Sequence, residues 1–264
     1  MNRIGKPFRI SPSSIGLFFK CAQSFKWAYI DEEQAEEYSG NYYAVLGTSF
    51  HKAMELDDLF TIDKQDIKKF FKLLFYTNLT EADINWRDDL DESKKFISRG
   101  LELLEGGYKL KERWKSTNDV VFNEKYFRIN FPNKFFEDVY ISGKIDLAIK
   151  GKNNDIYTIL DWKTSKTLDN DIDNNSQITI YIYYLHKTYS IPYENIFGAL
   201  AYPAKDKILF TQRTEEDVKS LFANVDKLLE NAYNGNFEKA TNKNACFFCA
   251  YKKKCLTNET QKRI

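Results

Sequence analysis

Apolar positions in the first part of the chain recur every three or four residues, the period of an α-helix with one buried face. Ile15, Phe18, Phe19, Ala22 and Phe25 follow Ser11-Pro12, where Ser11 can cap a helix and Pro12 suits its first turn. After an acidic turn from Asp31 to Glu37, a second helix is expected from about Leu46 through Phe60, with His51 and Glu55 one turn apart. Residues 64–115 keep the helical period through Phe70, Phe71, Leu74, Phe75, Leu101, Leu103 and Leu104, with a break expected near Gly106-Gly107.

From Asp119 the pattern turns to β-branched and aromatic residues, and strands are expected at about 120–131, 138–150 and 155–163. The last two are joined by the turn Gly151-Lys-Asn-Asn-Asp155. An Asp- and Asn-rich loop (169–175) leads to a helix near 176–189. Two strands follow, at about 196–202 and 206–212, on either side of Pro203-Ala-Lys-Asp206. Thr214 can cap a helix that reaches Tyr233, with Asp217 at its third position, and the last 25 residues read as loop. Without repeats, low-complexity tracts or a separating linker, residues 1–264 are expected to form one domain. Its parts are a helical insertion over 60–118, a sheet and helix over 119–212, and a cysteine-rich tail over 240–264.

A hydrophobic content of 43% with 29% charged residues fits a soluble globular chain. No run approaches the roughly 20 apolar residues of a membrane span, and the Met1-Asn-Arg start lacks the apolar region of a secretory leader. No membrane association is expected, and an intracellular (cytoplasmic) location is. The net charge of +1 conceals an uneven distribution: residues 1–30 and 243–264 each carry +5, which leaves −9 for the remainder. If the two ends meet, their combined charge would attract a phosphate backbone; as separate solvated lysines it would signify little.

In a reducing compartment, Cys21 and the trio Cys246, Cys249 and Cys255 are better placed to bind metal than to form disulfides. Four thiolates suit a tetrahedral Zn²⁺ and a [4Fe–4S] cluster alike, and neither ferredoxin spacing is present. Phe247, Phe248 and Tyr251 lie among lysines, where they can pack around such a site or stack on unpaired bases.

On the strand ending in Asp161-Trp162-Lys163, alternation puts Asp161 and Lys163 on one face and Trp162 on the other. The neighbouring strand, Tyr140-Ile-Ser-Gly-Lys-Ile-Asp146-Leu, can bring a second carboxylate beside Asp161. Two carboxylates that close repel each other unless a hard cation such as Mg²⁺ accepts their oxygens, and Lys163 could offset charge growing on a phosphate. Glu124, on the first strand, is either a further ligand or part of an exposed edge, and Glu55 could steer the His51 imidazole.

These residues occur in an ordered set. Ser11-Pro-Ser-Ser with Cys21, Leu46-Gly-Thr-Ser-Phe-His51, Gly143-Lys-Ile-Asp146, Asp161-Trp-Lys163, Gln177-Ile-Thr-Ile-Tyr181 and Cys-X2-Cys-X5-Cys span residues 11–255. The set resembles the PD-(D/E)XK nuclease superfamily, in particular its RecB-like branch with an iron–sulfur cluster, which includes CRISPR-associated four-cysteine exonucleases and helicase-linked recombination nuclease domains.

The resemblance implies a restriction-endonuclease-like α/β fold: a mixed central sheet flanked by helices, with a C-terminal four-cysteine site. It also implies that His51, Asp146, Asp161 and the backbone carbonyl of Trp162 hold catalytic Mg²⁺ or Mn²⁺, with Lys163 as catalytic lysine. Gln177 and Tyr181 would support the site or hold DNA, and [4Fe–4S] would be favoured over zinc at the cysteines. The implied activity is exonucleolytic hydrolysis of single-stranded DNA or DNA ends in recombination, repair, phage or CRISPR-related processing. No Gly-X4-Gly-Lys-(Ser/Thr) loop is present, so unwinding would fall to a partner such as a helicase or a recombination or CRISPR protein. The rival readings are a non-catalytic DNA-binding adaptor that keeps fold and cluster, and a zinc-binding structural module. The first leaves Asp146, Asp161, Lys163 and Gln177 without a role, and the second leaves the strand carboxylates unexplained.

Overall fold

The computed structural model describes residues 7–33, 42–59, 62–240, 242, 245–246 and 249–261. In chain order the elements are β1 (Phe8–Ile10), α1 (Pro12–Lys20), α2 (Ala22–Phe25) with a π-helical continuation (Lys26–Ile30), α3 (Tyr42–Leu59), α4 (Lys64–Glu81) and α5 (Leu90–Glu112). Next come β2 (Asn118–Asn130), β3 (Val139–Gly151), β4 (Tyr157–Trp162), α6 (Ser176–Tyr189), β5 (Ile196–Tyr202), β6 (Lys207–Gln212), α7 (Glu215–Asn234) and α8 (Lys252–Gln261). Gln34 to Glu37 of the expected acidic turn, and Phe60 at the end of the second helix, lie outside the described residues.

Two compact units emerge. One contains residues 39–127 and 144–215, and the other contains 1–38, 128–143 and 216–264.

In the 39–127/144–215 unit the sheet order is β3-β4-β5-β6, with β2 beside β3. β3 and β4 run antiparallel, β4 and β5 parallel, and β5 and β6 antiparallel, so the sheet is mixed. Helices α3, α4 and α5 bury one face of it. Phe50 of α3, Phe71 and Phe75 of α4 and Leu104 of α5 are fully buried in a cluster that reaches Leu160 and Trp162 of β4. The four-residue spacing of Ile67, Phe71, Phe75 and Leu79 makes α4 amphipathic, and each of these side chains stabilises by about 1.5–3 kcal/mol on leaving water. Helix α6 covers the opposite face through Ile178, whose methyl group stands where a side chain on Gly198 of β5 would be. A Cβ at Gly198 would lie 2.2 Å from that methyl, so the close approach of helix to strand requires glycine.

The helical stretch expected over 64–115 is interrupted, but not at the glycines. It breaks at Ala82–Asp89, where Asp89 caps α5 by accepting from the Glu92 amide at 3.0 Å. Gly106 and Gly107 lie inside α5 because tertiary packing uses their lack of side chains. A Cβ on Gly106 would come within 2.3 Å of the Pro203 carbonyl oxygen, and one on Gly107 within 2.9 Å of Met54 Sδ.

In the other unit, β1 pairs in parallel with the start of β3, Phe8 opposite Val139 and Ile10 opposite Ile141. The Ser11 cap forms as expected, with the Ser11 hydroxyl accepting from the Ser14 amide and the Ser14 hydroxyl reciprocating. The tail is more ordered than a loop reading allows, since α8 occupies Lys252–Gln261. It packs onto the N-terminal segment: the Tyr251 and Trp27 rings are 5.6 Å apart, the Tyr251 hydroxyl donates to Glu33 O at 3.2 Å, and Lys254 pairs with Glu33. No helix among the described residues is long and apolar enough to cross a membrane.

Candidate active site

All the strand and helix residues singled out for chemistry fall in the 39–127/144–215 unit. His51 comes from α3, Glu124 from β2, Asp146 from β3, Asp161 and Trp162 from β4, Lys163 from the residue after it, and Gln177 and Tyr181 from α6. Alternation holds at the end of β4. Lys163 Nζ lies 2.7 Å from Asp161 Oδ2, while the Trp162 ring is buried edge-on against Phe50 at 6.2 Å. Of Trp162 only the backbone serves the site, and its amide donates to Asp146 Oδ2 at 2.8 Å.

Asp146 Oδ2 also meets His51 Nδ1 at 3.1 Å. One ligand atom from each of His51, Glu124 and Asp146 lies within 4.8 Å of the other two. This set differs from the expected one: it takes in Glu124 and does not include Asp161. Asp161 is occupied on the other side, with Oδ2 beside Lys163 and Oδ1 accepting from Gln177 Nε2 at 2.7 Å.

Gln177 is the hub of the second layer. Its Nε2 also reaches the Tyr181 hydroxyl at 2.8 Å, its Oε1 accepts from Lys163 Nζ at 3.1 Å, and Tyr181 donates to Lys144 O at 2.6 Å. Asn175 starts α6 at the height that makes this possible, its side chain accepting from the Ile178 amide at 3.1 Å. Arg213 holds the loop before it, donating to Ile172 O at 2.7 Å and to the Thr179 hydroxyl at 2.8 Å. Glu55 does not steer His51; its carboxylate takes Lys52 Nζ at 2.6 Å, and its backbone carbonyl accepts from Asn123 next to Glu124.

Glu124 has φ +51°, a left-handed conformation uncommon for a side-chain-bearing residue. Its effect on the strand is visible in its neighbours. Phe122 stacks on Tyr189 and Phe127 on Tyr184, so residues five apart both face α6, although an unbroken strand would send them to opposite faces. The phase shift leaves Glu124 at the His51–Asp146 cluster.

Electrostatically the site crowds the carboxylates of Glu124, Asp146 and Asp161 together, with Lys144, Lys163 and His51 beside them. Burial first, and then the Asp146 charge, raise Asp161 from 3.8 to about 6, against the opposing pull of Lys163 and His51. Burial acts to lower His51, but Asp146 in contact and Asp161 nearby outweigh it and raise the imidazole above its usual value. Lys163 is raised in the same way, burial being overcome by Asp161. Tyr181 is held protonated by burial and the two carboxylates. Asp161 Oδ2 and Glu124 Oε2 are buried without an aligned hydrogen-bond donor, although each has a lysine ammonium beside it. A divalent cation with a preference for oxygen and imidazole ligands fits this donor set, for it would fill those acceptors and relieve the repulsion.

The family model of the PD-(D/E)XK nuclease superfamily matches residues 9–256. The chain belongs to that superfamily. No match is found among curated proteins. The mixed sheet with helices on both faces is consistent with the restriction-endonuclease-like architecture of PD-(D/E)XK nucleases, and the His51–Glu124–Asp146 set could hold the Mg²⁺ or Mn²⁺ that such nucleases typically use.

The cysteines of this PD-(D/E)XK protein are a different matter. Among the described residues no three of the four lie within 4.8 Å of one another. Ser24 Oγ is 3.3 Å from Cys249 Sγ, and it also bonds Cys21. Burial raises the Cys21 thiol, but that Ser24 bond and the backbone amides of Ser24, Ala240 and Gln23 outweigh it, so Cys21 is lowered overall. Cys246 is exposed. This arrangement does not present a four-sulfur ligand set for a cluster or for zinc. Phe247 and Phe248, expected to pack or stack there, lie outside the described residues.

Proposed function

We propose that this chain is a metal-dependent deoxyribonuclease that hydrolyses DNA phosphodiester bonds, acting as an exonuclease on single strands or ends. One observation carries the reading: His51, Glu124 and Asp146 converge within 4.8 Å beside a buried Asp161 that is paired with the half-buried Lys163. His51, Glu124 and Asp146 would hold Mg²⁺ or Mn²⁺, with Asp161 and the Trp162 backbone carbonyl at its edge. When bound, the cation offsets charge that builds on the phosphoryl group and makes water a better nucleophile at neutral pH.

The chain's own contribution is fixed charge and position. Lys163 is kept protonated, and its Nζ is held at 2.7 Å from Asp161 and 3.1 Å from Gln177, so it meets the phosphate without reorganising. Gln177 holds Asp161 and Lys163 together, and Tyr181 anchors Gln177 to the β3 backbone. Burial of Asp161 keeps bulk water from its carboxylate and strengthens each of these interactions.

The finer placement, in the RecB-like branch, rests on the order of the motifs and the Cys-X2-Cys-X5-Cys spacing. A [4Fe–4S] cluster, or zinc, at Cys21, Cys246, Cys249 and Cys255 would require the sulfurs to close from the arrangement described, and no catalytic step depends on it. The same placement makes recombination, repair or CRISPR-related processing the setting, beside a helicase or recombination partner.

The test is degradation of end-labelled single- and double-stranded DNA by protein purified without oxygen, with Mg²⁺ or Mn²⁺, beside Asp161→Ala and Lys163→Ala. Loss of cleavage in both variants is expected, with shortening from the ends. Equal degradation by all three proteins would sink the assignment, and DNA binding without cleavage by wild type would favour the adaptor reading. Visible charge-transfer absorbance in the same preparation distinguishes iron–sulfur from zinc.

A further inference from the structure

Two side chains next to the candidate site have no part in the proposed chemistry. Tyr126, on β2, is 73% exposed, the most exposed of the large hydrophobic side chains among the described residues. It is two residues from Glu124, and Lys144 Nζ of β3 stands 5.2 Å from its ring centroid. The same ammonium is ion-paired with Glu124, whose carboxylate belongs to the His51–Asp146 cluster. Lys144 thus links the exposed ring directly to the cation site.

The placement has a structural cause. The left-handed turn at Glu124 shifts the phase of β2, sending Phe127 into the core against Tyr181 and Tyr184 and turning Tyr126 out to solvent. Lys144 is set from beneath by the Tyr181 hydroxyl, which fixes its backbone carbonyl at 2.6 Å. An ammonium has three donors, and Glu124 engages this one from a single side. The Lys144 side chain remains 36% exposed, which leaves donors free for a second anion.

An exposed ring with a cation over it, beside a site suited to a phosphate-bound cation, matches the chemistry of one nucleotide: an apolar base face and an adjoining anionic phosphate. A base paired inside a duplex presents only its edges in the grooves, so its face cannot reach the ring unless the strand is open.

We propose that Tyr126 and Lys144 form a nucleotide clamp at the mouth of the site, the ring stacking on an unpaired base and the ammonium holding the neighbouring phosphate. The clamp selects single strands or frayed ends over closed duplex. It rests on the nuclease reading for its place beside the reacting phosphate, but it can be measured without cleavage.

The measurement is equilibrium binding in EDTA of a labelled oligodeoxythymidylate, and of a blunt duplex of equal length, to wild type, Tyr126→Ala, Tyr126→Phe and Lys144→Ala. Tyr126→Ala is expected to weaken single-strand binding by roughly five- to hundredfold, the range of a lost base stack, and to leave duplex binding unchanged. Tyr126→Phe keeps the ring and should retain single-strand binding. Lys144→Ala should weaken binding and lower the slope of log affinity against log salt by about 0.7, one phosphate contact on a single strand. The clamp is overturned if Tyr126→Ala binds the single strand as wild type does, or if it loses single strand and duplex equally. It is also overturned if Tyr126→Phe is as weak as Tyr126→Ala. Wild type that cleaves while Tyr126→Ala binds normally defeats the clamp alone. Wild type that never cleaves, yet needs the Tyr126 ring to bind, defeats the nuclease reading and leaves the clamp standing.

Discussion

Asp161→Asn should raise the thermal stability of the metal-free protein as pH increases, against the usual result of altering a buried charged residue. In the folded chain Asp161 is raised from 3.8 to about 6 by burial and by the Asp146 charge. A carboxyl group raised on folding contributes its full stability below the unfolded value, and loses it as pH rises through the folded value. The displacement is about two units at about 1.4 kcal/mol each, so wild type forfeits at most roughly 3 kcal/mol between pH 4 and pH 7. His51 and Lys163 respond to the same charge and reduce this figure, which makes it an upper limit. Asparagine does not titrate and escapes the loss. At ~2–4 °C per kcal/mol, the Tm of Asp161→Asn minus that of wild type should grow by up to about 6–12 °C across that range. Differential scanning fluorimetry in EDTA, from pH 4 to 7.5, reads this difference directly. Added Mg²⁺ should close the gap at pH 7.5 by stabilising wild type, by about 2.7 kcal/mol at a hundredfold excess over Kd, and should do little at pH 4, where protons hold the ligands. A difference that stays flat with pH would refute the claim that burial and Asp146 outweigh Lys163 and His51 at Asp161. A rising difference with no response to Mg²⁺ or Mn²⁺ would refute the claim that a cation binds beside Asp161.

The remaining predictions concern the supports of the site. Glu124→Gln should weaken Mg²⁺ or Mn²⁺ binding by at least about tenfold in a calorimetric titration, an effect expected of a ligand and absent if Glu124 only pairs with Lys144. Gln177→Ala should lower kcat with little change in KM, because it removes the partner that joins Asp161 to Lys163; a change in KM alone would mean that Gln177 holds substrate instead. Gly106→Ala should destabilise by about 1–3 kcal/mol, since its methyl would stand 2.3 Å from the Pro203 carbonyl oxygen and backbone gives way poorly; unchanged chemical denaturation would contradict that packing.

Much of the site was legible in the sequence because it depends on short periods. Two residues apart on a strand, Asp161 and Lys163 must share a face, and they meet at 2.7 Å; one turn apart on a helix, Gln177 and Tyr181 must adjoin, and they hydrogen-bond at 2.8 Å. The helix Ser176–Tyr189 and the strand Ile196–Tyr202 have the bounds expected because Asn175 and Pro192 punctuate them. What was illegible depends on contacts distant in sequence. Gly106-Gly107 reads as a helix break by local propensity, yet the helix continues because Pro203 and Met54 occupy the space the missing side chains leave. A strand as short as Phe8–Ile10 has no period to read and forms only because Val139–Ile141 offers it an edge. Glu124 combines both difficulties. Strand alternation assigns it a face only if the backbone stays extended, and its positive φ breaks that condition. The same break sends Tyr126 outward and Phe127 inward, so one strained residue decides both which carboxylate joins His51 and Asp146 and which ring faces solvent beside them. A strain of this kind persists only where packing on both sides enforces it, here Phe122 on Tyr189 and Phe127 on Tyr184, which makes the aromatic packing of α6 a determinant of the cation site.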